Sequence, residues 1–379
     1  MKNIARKIQV LIIGPTPPPY HGVSVMTQAL LDSDLKKSFR LFYLDLTDRR
    51  GLQYVNKPDL YDVFLFLKQW TYLLKMLIRE RPEVTYIPIC QTKVGFIRDS
   101  LLIWSASFFR SRVVAHLHGG NFRVWYEGSP GWVKLLVKKT LKRVARVVVL
   151  GESFRSLFEG LVTREKISVV PNGIQWSKDF QPSEEKFLKK RPFRILYIGS
   201  LSRSKGTPVL LAAIPSVIRD RKEVEFIFAG TWPRVEEQHE AESFIHQHGL
   251  APYTQFTGHV DGEKKQALFE SADLLVFSGV QQEGQPLVVI EAMAAGLPVV
   301  ATDRGCLRET VVDGVTGWIV PPNSPEDIAK QVIRLIESPS LRKEMAIRGR
   351  ERFETQYTLT KFAVGMERVF LETCQSDER

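Results

Sequence analysis

The sequence predicts an α/β protein of two tandem domains, each an open parallel sheet covered by helices. Short apolar runs alternate with amphipathic segments along the chain, the pattern of strand–helix–strand units. The length of 379 residues exceeds what one ordinary core organises. A polar stretch bounded by prolines, QPSEEKFLKKRP at 181–192, reads as the linker between two such cores.

In the first half, QVLIIG (9–14) is the first strand. The residues before it are basic, but the apolar run is short and no small-residue cleavage site follows, so it does not read as a signal peptide. The loop PTPPPYHG leads into helical VSVMTQALL, and further strands are expected at 84–89, 112–118, 146–150 and 166–171. The second half repeats the scheme, with strands at 194–200, 225–230, 254–258, 273–279 and 298–302. The last stretch, 351–372, has a helical pattern. No run reaches the ~18 apolar residues that a spanning helix needs. Three scattered cysteines, Cys90, Cys306 and Cys374, fit reduced thiols rather than a disulfide framework or a zinc site.

Charge is divided unevenly. Residues 1–190 hold 31 Lys and Arg against 16 Asp and Glu, whereas 191–379 hold 22 against 26. The first half is therefore suited to an anionic partner such as nucleic acid, a phospholipid surface or a phosphorylated substrate. Within it, GSPGWVKLLVKKTLKRVARVVVLG (128–151) lacks acids, and Lys134, Lys138, Lys142 and Arg146 recur every four residues as one expected helical stripe. GFIRDSLLIWSASFFRSR (95–112) repeats the theme with Arg98, Arg110 and Arg112. Basic amphipathic helices suit an anionic bilayer, although any helix that covers a sheet has one apolar and one solvated face. The basic residues lie on such helices without a nucleic-acid motif, so no nucleic-acid partner is expected.

The chemistry concentrates in EGQPLVVIEAMAAGLPVV (283–300). A helix is expected over 286–295, opening at Pro286 and stopping at Gly296. The amides of Gly284, Gln285, Leu287 and Val288 then form an anion site at its N-terminus. Glu291 lies in an apolar run, where a carboxylate is costly unless donors meet it. Ribose hydroxyls are one such partner, and an internal salt bridge with Arg203 or Lys205 is the other. A second loop, YIGSLSRSKGTPVLL (197–211), again joins strand to helix, with Thr207 expected as cap, Pro208 at the first helical position, and Arg203 and Lys205 placed to meet a diphosphate.

These stretches, with FTGHVDGEKKQALFESADLLVFSG, the DGVTGWIVPP turn and VVPNGI (169–174), resemble the retaining nucleotide-sugar glycosyltransferases of family four (glycosyl transferases group 1), which have the GT-B fold. The resemblance is dense in the second half. It is looser in the first, where PTPPPYHGVSVMTQAL is similar to the family's glycine loop and HLHGG (116–120) to its histidine–glycine motif.

It implies two Rossmann-like domains facing a central cleft. One spans 1–185 and takes back a C-terminal helix at about 358–379; the other spans 186–357. It also implies that Glu291 binds the donor's ribose, Glu283 contacts the transferred sugar, and the amides of Gln285, Leu287 and Val288 hold the distal phosphate with Lys205. Gly258 to Val260 border the base, Gly22 closes over the diphosphate, and His118 sits near the sugar. The catalytic set is then Glu283, His118 and Lys205. The family's usual arginine after the IG pair is Ser200 here, a place Arg203 could fill.

The expected reaction moves a sugar from a nucleotide diphosphate to a hydroxyl with retained configuration, without a metal or other cofactor. The expected acceptor is a lipid-linked or membrane-held glycan, so the protein is expected in the cytoplasm, peripheral on the inner face of the membrane. An epimerase of the same shape and a non-catalytic nucleotide-sugar sensor at the membrane are the alternatives.

Overall fold

The computed structural model describes residues 6–50, 59–176 and 191–375. All of the expected linker except Arg191 and Pro192 falls outside them. The chain divides into two compact units, Met1–Gly173 with Leu359–Arg379, and Ile174–Thr358.

The first unit runs β1 (Gln9–Gly14), α1 (Gly22–Asp32), α2 (Leu35–Ser38), β2 (Arg40–Asp45), α3 (Leu60–Glu80), β3 (Val84–Pro88), α4 (Lys93–Phe108), β4 (Arg112–His116), α5 (Phe122–Glu127), α6 (Gly131–Leu141), β5 (Val144–Val149) and β6 (Ile167–Val169). Its strands form one parallel sheet in the order β2-β1-β3-β4-β5-β6. The apolar runs of β1 and β3 are buried throughout, as sheets covered on both faces require. Side chains set the helix starts. His21 accepts from the Ser24 amide before α1, Asp59 from the Asp62 amide before α3, and Thr92 from the Gly95 amide before α4.

The second unit runs β7 (Phe193–Ile198), α7 (Thr207–Asp220), β8 (Val224–Ala229), α8 (Val235–Gln247), β9 (Thr254–Gly258), α9 (Gly262–Ser271), β10 (Leu274–Phe277), α10 (Leu287–Ala294), β11 (Val299–Thr302), α11 (Leu307–Thr310), β12 (Gly317–Val320), α12 (Pro325–Glu337) and α13 (Pro339–Arg352). Its parallel sheet has the order β12-β11-β10-β7-β8-β9. The order reverses between β7 and β10, and a crevice opens at such a point beyond the strands' carboxyl ends. One core cluster joins Phe226, Phe228, Leu210 and Ile214, and the other joins Leu275, Phe277, Ile290 and Met293.

A last helix, α14 (Leu359–Gln375), returns to the first unit. Phe370 is fully buried there, edge-on to Phe39 at 5.7 Å and to Tyr86 at 6.4 Å between ring centroids. Arg146 pairs with Glu372 at 3.2 Å.

Several details correct the sequence reading. Strands β2 and β12 were not expected, because both are edge strands without a continuous buried run. The expected basic stripe breaks at Leu141, where α6 ends. The β-branched run VARVVV is β5, so Arg146 projects from a strand, as does Arg112 from β4. Arg98 turns inward to the fully buried Asp99 at 2.8 Å and to Cys90 Sγ at 3.2 Å. The segment 351–372 is two helices, separated by a π-turn at Phe353–Tyr357. Gly206 caps α7, which puts Thr207 and Pro208 one position further in, and Pro286 caps α10 rather than opening it.

Truncating a large buried ring costs about 3–5 kcal/mol. Phe370→Ala is therefore expected to destabilise the first unit by about that amount. In urea unfolding followed by probes in each unit, the transition of the second unit should stay in place.

Candidate donor site

The site is built where the strand order of the second unit reverses. The loop after β7 (199–206) and the loop after β10 (278–286) lie side by side and share backbone hydrogen bonds. The amides of Val280 and Gln281 both donate to the Ser204 carbonyl, at 3.0 and 3.2 Å. Two glycines permit this approach. A Cβ on Gly206 (φ +77°) would lie 1.7 Å from the Ser278 carbonyl oxygen, and one on Gly305 (φ +56°) would lie 2.1 Å from the Glu283 carbonyl oxygen. Gly199, Gly230 and Gly258 continue as a ledge without side chains along the ends of β7, β8 and β9. The Gly230 amide donates to the Gly258 carbonyl at 2.8 Å, and a Cβ on Gly230 would meet the Gly199 oxygen at 1.8 Å. Val260 follows, half-buried.

Tyr197 braces the first loop from below. Its hydroxyl donates to the Ser200 carbonyl at 2.8 Å and accepts from Thr207 Oγ1 at 3.3 Å. Burial holds its pKa well above the usual tyrosine value, and the nearby Glu283 charge adds to the shift.

Helix α10 is apolar except for Glu291. Its first intrahelical bond runs from the Val289 amide to the Pro286 carbonyl at 3.2 Å, so the amides of Leu287 and Val288 precede the ladder. Gln285 is buried and donates from Nε2 to Thr310 Oγ1 at 3.1 Å, which fixes the turn that aims these amides; Gly284 accepts from the Cys306 amide at 3.1 Å.

Both carboxylates are met by lysines. Lys205 Nζ lies 2.6 Å from Glu283 Oε1, and Lys265 Nζ, from α9, lies 2.6 Å from Glu291 Oε1. Glu291 thus has a salt-bridge partner, but it is neither of the two residues named from sequence. Its second oxygen, Oε2, is buried and without a hydrogen-bond partner. A desolvated carboxylate oxygen left open costs free energy that a ligand donor would recover.

The structure brings together Lys205, Glu283, Gly284, Gln285, Pro286 and the start of α10, and sets Glu291 further along the same helix. It does not bring Arg203 into the group. The Arg203 guanidinium is exposed and paired with Glu240 of α8 at 2.5 Å. Sequence reasoning missed Lys265, Tyr197 and Ser278. Lys265 stands in EKKQALFES, an ordinary charged helix face, and Tyr197 reads as core.

The remaining candidates, Gly22 and His118, lie in the first unit. Gly22 is the first residue of α1, with open space where a Cβ would stand. His118 follows β4. Tyr86 Oη lies 3.2 Å from His118 Nε2 and 2.9 Å from His116 Nδ1, and the two imidazoles lie 3.9 Å apart between centroids, tilted by 34°. Tyr86 has one hydroxyl proton, so it donates to one ring and accepts from the other. Burial, with the nearby His21 second, pushes the His118 pKa down to about 3. Its ring is therefore neutral at physiological pH and serves as a hydrogen-bonding group rather than a cation.

Residues 179–352 match the family described as glycosyl transferases group 1. An uncharacterized glycosyltransferase of Methanocaldococcus jannaschii is 26% identical over 67% of this chain and 67% of its own length. The phosphatidyl-myo-inositol mannosyltransferase of Mycobacterium leprae is 30% identical over 66% of this chain and 65% of its own length. These matches span about two thirds of either relative. Among solved structures, a Rickettsia africae glycosyltransferase superposes with a TM-score of 0.78 at 15% identity, covering 97% of this chain and 99% of that one. Anabaena HepE in complex with UDP superposes with a TM-score of 0.71 at 16% identity, covering 96% and 100%. The fold is that of GT-B glycosyltransferases.

Two outcomes are expected. Gly206→Ala forces strained backbone against a carbonyl, so it should lower the unfolding midpoint of the second unit by the equivalent of about 1–3 kcal/mol, as read by thermal denaturation. His118 should show no imidazole titration by NMR near its ordinary value of 6.5. The unfolded chain takes up that proton and the folded ring does not, so the first unit should lose stability as pH falls through 6.5. His118→Gln should remove part of that loss.

Proposed function

We propose, from the match of residues 179–352 to the glycosyl transferases group 1, that the protein is a glycosyltransferase whose second unit binds a nucleotide-diphosphate sugar. The observation that carries this reading is the open, buried Oε2 of Glu291, one turn beyond the unladdered amides of Leu287 and Val288. A ribose diol supplies the donors that this oxygen lacks, and a diphosphate suits the amides and the helix dipole. The ledge of Gly199, Gly230 and Gly258, with Val260 beyond it, offers backbone to a planar base. HepE has been solved with UDP and with UDP-glucose, which supports a nucleotide sugar as the donor class.

Lys205 is the cation at the diphosphate. Its ammonium has three donors, so it can keep Glu283 and still reach a phosphate oxygen. As the bond from sugar to phosphate breaks, negative charge grows on the leaving diphosphate, and Lys205 with the α10 amides stabilises it in place. Glu283, held by Lys205, accepts from hydroxyls of the transferred sugar. This reading assigns no step to a metal. Configuration is retained through same-face attack assisted by the leaving phosphate. Arg203, engaged by Glu240, is left out of the donor set. In the first unit, His118 is a neutral hydrogen-bonding group for substrate and Gly22 a bare approach to anionic groups.

The acceptor in this reading is a membrane-held glycan, and the protein works peripherally at the cytoplasmic face of that membrane. The basic first unit supports this, as does the phosphatidyl-myo-inositol in the name of the M. leprae relative.

Thermal unfolding of wild type and Glu291→Ala against UDP, GDP, ADP, CDP and dTDP, and then the intact sugar nucleotides, tests the reading. One nucleotude class should raise the midpoint of the second unit, by about 2.7 kcal/mol at a hundredfold excess over its Kd, and Glu291→Ala should lose the effect. Equal binding by both proteins would sink the assignment of Glu291. Conversion of the donor without any acceptor would identify an epimerase instead.

A further inference from the structure

Helix α3 is unusual for a helix at the surface of an α/β unit. Of its 21 residues only Gln69, Leu73 and Leu77 are buried. Leu60 is 88% exposed and Phe64 65%, and Tyr61, Val63, Leu67, Tyr72 and Ile78 also face solvent. Between them stand exposed Lys68, Lys75 and Arg79. The neighbouring α4 repeats the pattern. Val94, Ile97, Leu101 and Phe108 (79% exposed) fall three, four and seven residues apart, which is one face. On α6, Trp132 and Leu135 are exposed beside Lys138 and Lys139.

The topology places these faces together. The connections β2–β3, β3–β4 and β4–β5 all advance in the same direction across the sheet. Right-handed crossovers then put α3, α4 and α6 on one side of it. They are adjacent in that order, with α3 against α4 and α4 against α6, and Trp70 Nε1 donates to Ser105 Oγ at 3.0 Å across the first pair.

The charge on this layer has one sign. Residues 60–143 contain 14 Lys and Arg against 5 Asp and Glu. The acids on the three helices are Asp62, Glu80 and Asp99, and each is engaged by an arginine: Arg50 at 2.6 Å, Arg79 at 3.1 Å and Arg98 at 2.8 Å. What faces outward is aliphatic and aromatic side chains interleaved with cations.

We propose that the outer faces of α3, α4 and α6 form one docking surface for an anionic phospholipid bilayer, with the first two turns of α3 entering the interfacial zone. The proposal gives a surface to the membrane-held acceptor of the functional reading, and it rests on that reading for its purpose only. Leu60, Phe64, Leu67 and Phe108 supply the apolar area, tyrosine and tryptophan suit the headgroup level, and the lysines meet lipid phosphates. Helix α3 lies on the surface rather than spanning it; no helix among the described residues is long and apolar enough to cross a membrane.

The test is co-sedimentation of the full chain with phosphatidylcholine vesicles, with and without phosphatidylglycerol. Wild type should bind the anionic vesicles and lose most binding at high salt. Phe64→Glu combined with Leu67→Glu should weaken binding at least about tenfold, while Val364→Glu, at an exposed apolar position of α14, should leave it unchanged. Lys138→Glu with Lys139→Glu should weaken binding to anionic vesicles alone, which gives a second variant if the first does not fold. Failure of wild type to bind, or equal binding by the variants that fold, overturns the proposal. So does a concentration-dependent dimer in sedimentation velocity that Phe64→Glu with Leu67→Glu dissociates, if no vesicle binding accompanies it, because the face then belongs to a second copy of this chain. Nucleotide titration of the same preparations keeps the two readings apart. Vesicle binding without a nucleotide response fails the donor site alone, and the converse fails this surface alone.

Discussion

The second unit depends on a contact that leaves no room for a side chain. The Gly206 backbone sits against the Ser278 carbonyl closely enough that a single methyl group would overlap it. That closeness lets the loops after β7 and β10 bond to each other, with Val280 and Gln281 sharing the Ser204 oxygen. The loop pair fixes where Lys205 and Glu283 stand, and Gly305 applies the same constraint from β11's side. A parallel sheet whose strand order reverses opens a crevice at this point, and the glycines let two loops line it with backbone rather than side chains. The chemistry is correspondingly one of amides, a dipole and few charges.

Those few charges are balanced. Lys205 answers Glu283 and Lys265 answers Glu291, four formal charges that sum to zero. Each lysine pairs with its carboxylate in a partly desolvated place, where an unpaired charge would be expensive. The pairing is incomplete at Glu291, whose second oxygen is buried without a hydrogen-bond partner. With the charges locally balanced, the diphosphate of the proposed donor would be held by directed N–H groups more than by net positive potential.

Much of this was legible in the sequence, for identifiable reasons. The strands that became β1, β3, β7, β8 and β10 are largely buried, so each shows a run of mostly apolar residues. Edge strands β2 and β12 lacked that signature. Gly296 and Pro286 marked the ends of α10 to within a residue. Partners across the fold were not legible. Lys265 meets Glu291 because α9 and α10 feed the same core cluster, and nothing in its neighbourhood along the chain announces it. Arg203 lies within the right loop, yet its long side chain reaches Glu240 instead. The solvent face of α3 escaped notice because its leucines and phenylalanines look like core until burial shows that they are not.

The return of α14 to the first unit has a consequence for biosynthesis. The second unit is an insertion: all of its residues, Ile174–Thr358, are made before the first unit is complete. During translation the emerging N-terminal sheet lacks Phe370, and the faces of Phe39 and Tyr86 that this ring covers stay open. The inserted unit has no such wait and can close its own core as a contiguous segment. The half that is synthesised first therefore cannot complete its core until the last helix of the chain has been made.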